Sequence, residues 1–175
     1  MPHALDTKAQ GMALEAQKDY VFVPKVTRTG GVAVIEAVMV GTRKYLFVIP
    51  FSSIGGAGRT IETRKYTLAQ GDPRQTVPAL LAEEDMTVEA LEELFCDVVE
   101  KIDGYALEIA SFDRFKIVVG SGLFGWLKAG LYYKTGGKRG WSGMAVKGKA
   151  NRQLLYDFYE DQLHPDAPNP YAANP

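Results

Sequence analysis

Two apolar runs, Gly31–Val40 (GVAVIEAVMV) and Lys44–Phe51 (KYLFVIPF), meet across the short stretch Gly41-Thr42-Arg43-Lys44. Both are rich in β-branched and aromatic residues, which suit a pleated, half-buried surface. Parallel neighbours need a crossover of about a dozen residues or more, and none is available here. Gly41–Lys44 therefore reads as a hairpin turn between two antiparallel strands. Tyr20–Val23 supplies a further strand just upstream. Pro50 removes a ladder donor, so the second run is expected to end there or to lie at an edge.

The same reading extends along the chain. Residues 59–69 alternate imperfectly and suggest a fourth strand, and Gly71-Asp72-Pro73-Arg74 marks a turn. Tyr105–Ala110 and Arg114–Val119 read as strands joined by Ser111-Phe112-Asp113. Leu131–Lys134 and Trp141–Val146 read as a hairpin around Thr135–Gly140. Between these groups Val88, Leu91, Phe95, Val98 and Ile102 recur at spacings of three and four. This predicts an acidic amphipathic helix over about 87–103, with Thr87 as N-cap and Gly104 as a left-handed C-cap. A C-terminal helix is expected over about 151–163, capped by Asn151 and carrying Leu154, Leu155, Phe158 and Tyr159.

Strands in two groups, each followed by a helix, predict an α+β domain with a mostly antiparallel curved sheet or small barrel. The order of elements is loosely similar to that of pleckstrin-homology-like domains, a topological likeness that rests on no motif and brings no function with it. Residues 1–18 read as a short helix or N-terminal arm, 19–164 as the single domain, and the proline-punctuated stretch 165–175 as a tail outside the core.

The 175 residues, 46% hydrophobic and 23% charged, have the composition of an ordinary globular domain. No apolar run reaches the roughly 18 residues that span a bilayer, and the N-terminus lacks the basic-then-apolar pattern of a signal peptide. One cysteine, Cys96, forms no internal disulfide, which favours a reducing, cytoplasmic setting.

The formal charge of -1 conceals two opposed fields. From Glu83 to Glu108 ten carboxylates face the single base Lys101. From Arg114 to Arg152 there are nine bases (Arg114, Lys116, Lys128, Lys134, Lys138, Arg139, Lys147, Lys149, Arg152) and no acid. Aromatics, including Trp126 and Trp141, are interleaved with the bases. Segregated charge of this kind speaks of association with partners of opposite sign.

Catalytic motifs are sparse. Gly120-Ser121-Gly122-Leu123-Phe124-Gly125 is a formal GxGxxG, which in a dinucleotide fold would hold a pyrophosphate at a helix N-terminus. The acidic residue expected some 20 positions on is missing, so the alternative is a glycine-rich link between antiparallel strands. Gly55–Thr60 lacks the Gly-Lys-Ser/Thr ending of a P-loop. His3 and His164 stand at opposite ends of the chain, and Cys96 falls beside the helical stripe, where a small thiol fills core space. No metal or cofactor is expected.

The expectation is therefore a non-catalytic binding or adaptor domain, or an assembly subunit. Its basic segment would engage an anionic partner: a protein first, with a nucleic acid or anionic membrane as further candidates. Two alternatives stand beside it. One is a nucleotide- or phosphometabolite-using enzyme centred on Gly120, Gly122 and Gly125. The other is a structural protein that self-associates through its basic segment and the acidic face Glu89, Glu92, Glu93, Asp97 and Glu100.

Overall fold

Ala37–Val40 and Leu46–Ile49 are unbroken apolar tetrads because both faces of their strands are covered. The computed structural model describes residues 13–30, 33–54, 71–101, 104–120 and 129–164. In chain order these form β1 (Val21–Gly30), β2 (Ala33–Gly41), β3 (Tyr45–Ile54), α1 (Pro73–Leu81), α2 (Val88–Lys101) and β4 (Tyr105–Glu108). A 3-10 turn at Ile109–Ser111 leads into β5 (Phe112–Val118). Then come β6 (Gly130–Thr135), β7 (Ser142–Val146), α3 (Lys149–Tyr159) and a final 3-10 turn at Glu160–Gln162.

The seven strands make one sheet in the order β4-β3-β2-β1-β7-β6-β5, with every pair antiparallel. Its two edge strands, β4 and β5, are consecutive in the chain and separated by only Ile109–Ser111. A flat seven-stranded sheet would hold its edges about 29 Å apart at about 4.8 Å per step. The four-residue step from Glu108 to Phe112 reaches at most about 14 Å. The sheet must therefore curl, and it forms a half-barrel.

Alternation sorts side chains between two cores. Toward the inside, Val21, Val23, Val26, Met39, Leu46, Val48, Phe115 and Leu131 pack with Leu155, Phe158 and Tyr159 of α3. Toward the outside, Val38, Val40, Phe47 and Ile49 are covered by Val77 and Leu81 of α1 and by Leu91, Phe95, Val98 and Val99 of α2. Leu14 also packs on this outer cluster. Two side chains, Tyr159 and Arg43, lock α3 and the turn after it to the β2–β3 turn. The buried Tyr159 hydroxyl donates to the Thr42 carbonyl at 2.8 Å, and Arg43 donates to the Phe158 carbonyl and pairs with Asp161.

Several expectations change. β1 runs on to Gly30 instead of stopping at Val23; a register shift between Val23 and Val26 moves its inward phase from odd to even positions and hides the alternation. β3 passes through Pro50 to Ile54. Pro50 is tolerated because the β2–β3 register shifts beside it and β4 reaches only as far as Val48. The Gly71–Arg74 turn is the start of α1, where Asp72 caps Arg74 and Pro73 sits at the first helical position. Turn chemistry and helix-start chemistry use the same residues. Gly104 does not have the positive φ expected of it. It is glycine because a Cβ there would lie 2.7 Å from the Val48 carbonyl oxygen.

Further along, α3 begins at Lys149 behind Gly148 (φ 87), and Asn151 donates to the Lys147 carbonyl instead of capping. Leu154, expected on the buried stripe, is 38% exposed. Residues 13–20 form a turn around Gln17 and hold no helix. The strand expected at 59–69 lies outside the described residues.

Candidate binding surface

The outer face of β5–β6–β7 has no helix over it among the described elements, and its residues follow from register. Residues directly opposite in an antiparallel ladder point to the same side. Arg114 stands opposite Lys134, Lys116 opposite Tyr132, and Tyr132 opposite Gly143. Since Phe115, Ile117, Leu131 and Tyr133 point inward, this second set points outward. A Cβ at Gly143 would meet the Tyr132 ring at 2.3 Å, so glycine there lets the ring lie flat across β7. A register shift between Phe112 and Arg114 leaves Asp113 and Arg114 both exposed.

The β6–β7 turn extends this face. Gly136 (φ 60) and Gly137 (φ 68) take the left-handed conformation that a tight hairpin turn needs at both central positions. The Gly137 amide donates to the Asp113 carboxylate at 2.8 Å, which ties the turn to β5. Lys138 and Arg139 stand exposed just beyond. Lys134 lies 5.2 Å from the centre of the Trp141 ring, a cation–π contact. The structure thus brings Arg114, Lys116, Lys134, Lys138, Arg139 and Trp141 onto one face and its rim.

Other members of the expected basic set lie elsewhere. Lys147 and Lys149 are exposed at the entrance to α3, at the far end of β7 from Lys138. Arg152 is 8% exposed and donates to the Val119 and Val146 carbonyls, so it joins α3 to two strand ends and presents no charge outward. Trp126, Lys128, Gly122 and Gly125 lie outside the described residues. Gly120 is exposed where β5 ends. The segment after it joins antiparallel neighbours β5 and β6, whereas a dinucleotide fingerprint joins a strand to a crossover helix in a parallel sheet.

On α2, which packs over β3 and β4, Glu89, Glu93, Asp97 and Glu100 are exposed. Glu92 is different: it accepts a hydrogen bond from the hydroxyl of the fully buried Thr42, fixing α2 to the β2–β3 turn. Burial, with Glu92 and Glu100 nearby, pushes the Cys96 thiol up, which disfavours a reactive thiolate. Among the described residues no three His, Cys, Asp or Glu side chains converge, and no helix is long and apolar enough to cross a membrane.

The sequence reading missed a second cluster, on the inner face. Arg28 of β1 lies 4.3 Å from the centre of the Tyr105 ring of β4. Tyr133 of β6 is held above the usual phenol range by burial, an effect that Arg28 opposes and Tyr105 reinforces. The signal was available, since Arg28 falls two residues after inward-facing Val26, but the phase change within β1 concealed it.

No protein family, curated protein or solved structure matches this chain.

Proposed function

We propose that this protein is a binding module whose outer β5–β6–β7 face docks an acidic protein surface. The observation that carries the proposal is the Arg114–Lys134 pair. Two like charges directly opposite on neighbouring strands destabilise the sheet that contains them. Among the described residues no carboxylate pairs with Arg114, Lys138 or Arg139. A partner that covers this face with carboxylates would relieve the repulsion, and Trp141 offers it a flat apolar contact beside the charge.

The outward carboxylates of α2 (Glu89, Glu93, Asp97 and Glu100) give the chain an acidic helical face of its own. A second copy could supply the partner surface, in a head-to-tail contact that closes into a ring or grows as a filament.

The test measures binding of a fluorescent poly-glutamate peptide by anisotropy, with sedimentation velocity of the protein alone at low salt. Changing Arg114, Lys138 and Arg139 together to Glu should weaken peptide binding by about tenfold or more, roughly 1.4 kcal/mol. Raising salt should weaken the native protein's binding. Loss of peptide binding and of low-salt assembly in the same variant would identify self-association. A native protein that neither binds the peptide nor assembles would overturn the reading, and tighter binding to single-stranded DNA or anionic vesicles would move the partner to another class.

A further inference from the structure

Arg28 is a charged residue at an inward-facing position of a half-barrel. Its cross-strand partner is Ile35, and Val26, two residues before it, belongs to the inner core. The C-terminal end of α3 is held at the β2–β3 turn beside Val21, where Tyr159 bonds, and its first turn reaches the Val26–Val146 rung through Arg152. Arg28 lies two residues past that rung along β1.

Three inner-face groups converge there from strands that are not neighbours. β1, β4 and β6 occupy the fourth, first and sixth places in the sheet order, so only the curl of the sheet brings them together. Arg28 lies over the Tyr105 ring, and Tyr133, whose phenol burial pushes up and Arg28 pulls down, is stacked on Phe112 at 4.7 Å. Among the described residues no carboxylate pairs with Arg28. Partly removing a guanidinium from water is costly, and a ring face satisfies none of its N–H donors. Arg28 and Tyr105 are each only partly buried, whereas Tyr133 belongs to the inner core.

We propose that Arg28, Tyr105 and Tyr133 bind the carboxylate of a small organic acid whose apolar body lies against Phe112 and Ile35 inside the half-barrel. The planar guanidinium fork matches a carboxylate in a bidentate pair, and two phenols can donate to the same oxygens. The site has one cation, which suits a monoanion better than a doubly charged phosphate. It is independent of the outer basic face, because its residues point to the other side of the sheet.

Calorimetric titration with octanoate, benzoate, 1-octanol and inorganic phosphate tests this. At least one of the two acids should bind saturably, and octanol and phosphate should bind at least about tenfold more weakly. Arg28→Gln should weaken the acid by about tenfold or more, as expected for losing a charge-assisted hydrogen bond. Arg28→Lys keeps the charge without the fork and should fall between. Tyr133→Phe keeps the inner packing and should cost a smaller factor, which leaves a readout should Arg28→Gln fail to fold. Absence of saturable binding by either acid would overturn the proposal. So would equal affinity for octanol and octanoate, unchanged affinity in Arg28→Gln or Arg28→Lys, or binding of phosphate alone.

Discussion

The β2–β3 half of the sheet and the β5–β6–β7 half obey the same alternation but have different neighbours. In the first half both sides of each strand meet apolar surface, α3 within and α1 and α2 without, so sequence and burial are both continuous. In the second, the inward positions Phe115, Ile117, Leu131 and Met144 are equally buried, while the outward ones carry Arg114, Lys116 and Lys134 around the buried Tyr132. The two halves share one inner core and differ only in what covers the outside. Helices α1 and α2 cover the outside of the first half, and among the described elements no helix covers the outside of the second.

That contrast is open to direct attack. The largest effect should come from Phe95→Ala, which empties the α2–β3 layer where Phe95 meets Phe47 at 5.3 Å. Denaturant unfolding should show a loss of about 3–5 kcal/mol; a loss below about 1 kcal/mol would mean that the outer helices contribute little. An intermediate effect is expected of Tyr159. Its burial holds the hydroxyl well above the usual value of 10.0, so the folded state binds that proton more tightly than the unfolded chain does. The resulting stability is fully present below pH 10 and should fall as pH rises above it, as the unfolded phenol ionises. Tyr159→Phe should flatten the alkaline limb of a stability–pH curve and cost about 1 kcal/mol at neutral pH. The smallest and most discriminating change is Arg114→Thr. Removing one of two opposed like charges should raise stability by about 0.2–1 kcal/mol while weakening poly-glutamate binding. A stabilised variant that binds the peptide undiminished would separate the surface from the function proposed for it.

Much of this architecture was readable because each strand between the turns carries its own alternation or apolar run. The antiparallel hairpins and the helix over Leu91–Val98 came from local spacing, as did Leu155, Phe158 and Tyr159 of α3, though not its exposed Leu154. Three things were not readable, each for a physical reason. The β1 phase change at Pro24-Lys25 breaks the period of two and hid both the length of the strand and the inward Arg28. Asp72-Pro73 belongs equally to a turn and to a helix start, and only tertiary contact through Val77 and Leu81 decides between them. Charge segregation gave the outline of the basic surface but not its membership. Arg152 turns inward because two strand-end carbonyls need donors, and Glu92 is held by Thr42, and neither need appears in the order of residues.

One contact at the free edge of β5 reaches beyond the fold of a single molecule. The backbone of Phe115 faces outward there, and His164 takes both of its groups: the Phe115 amide donates to the His164 imidazole at 2.9 Å, and the His164 amide donates to the Phe115 carbonyl. The residue after His164 is Pro165, which has no amide with which to continue a ladder. A single residue thus occupies the middle of an edge that would otherwise offer a template to any passing strand. His164 shields the middle of the β5 edge, so that pairing with a strand of another molecule would first have to displace it.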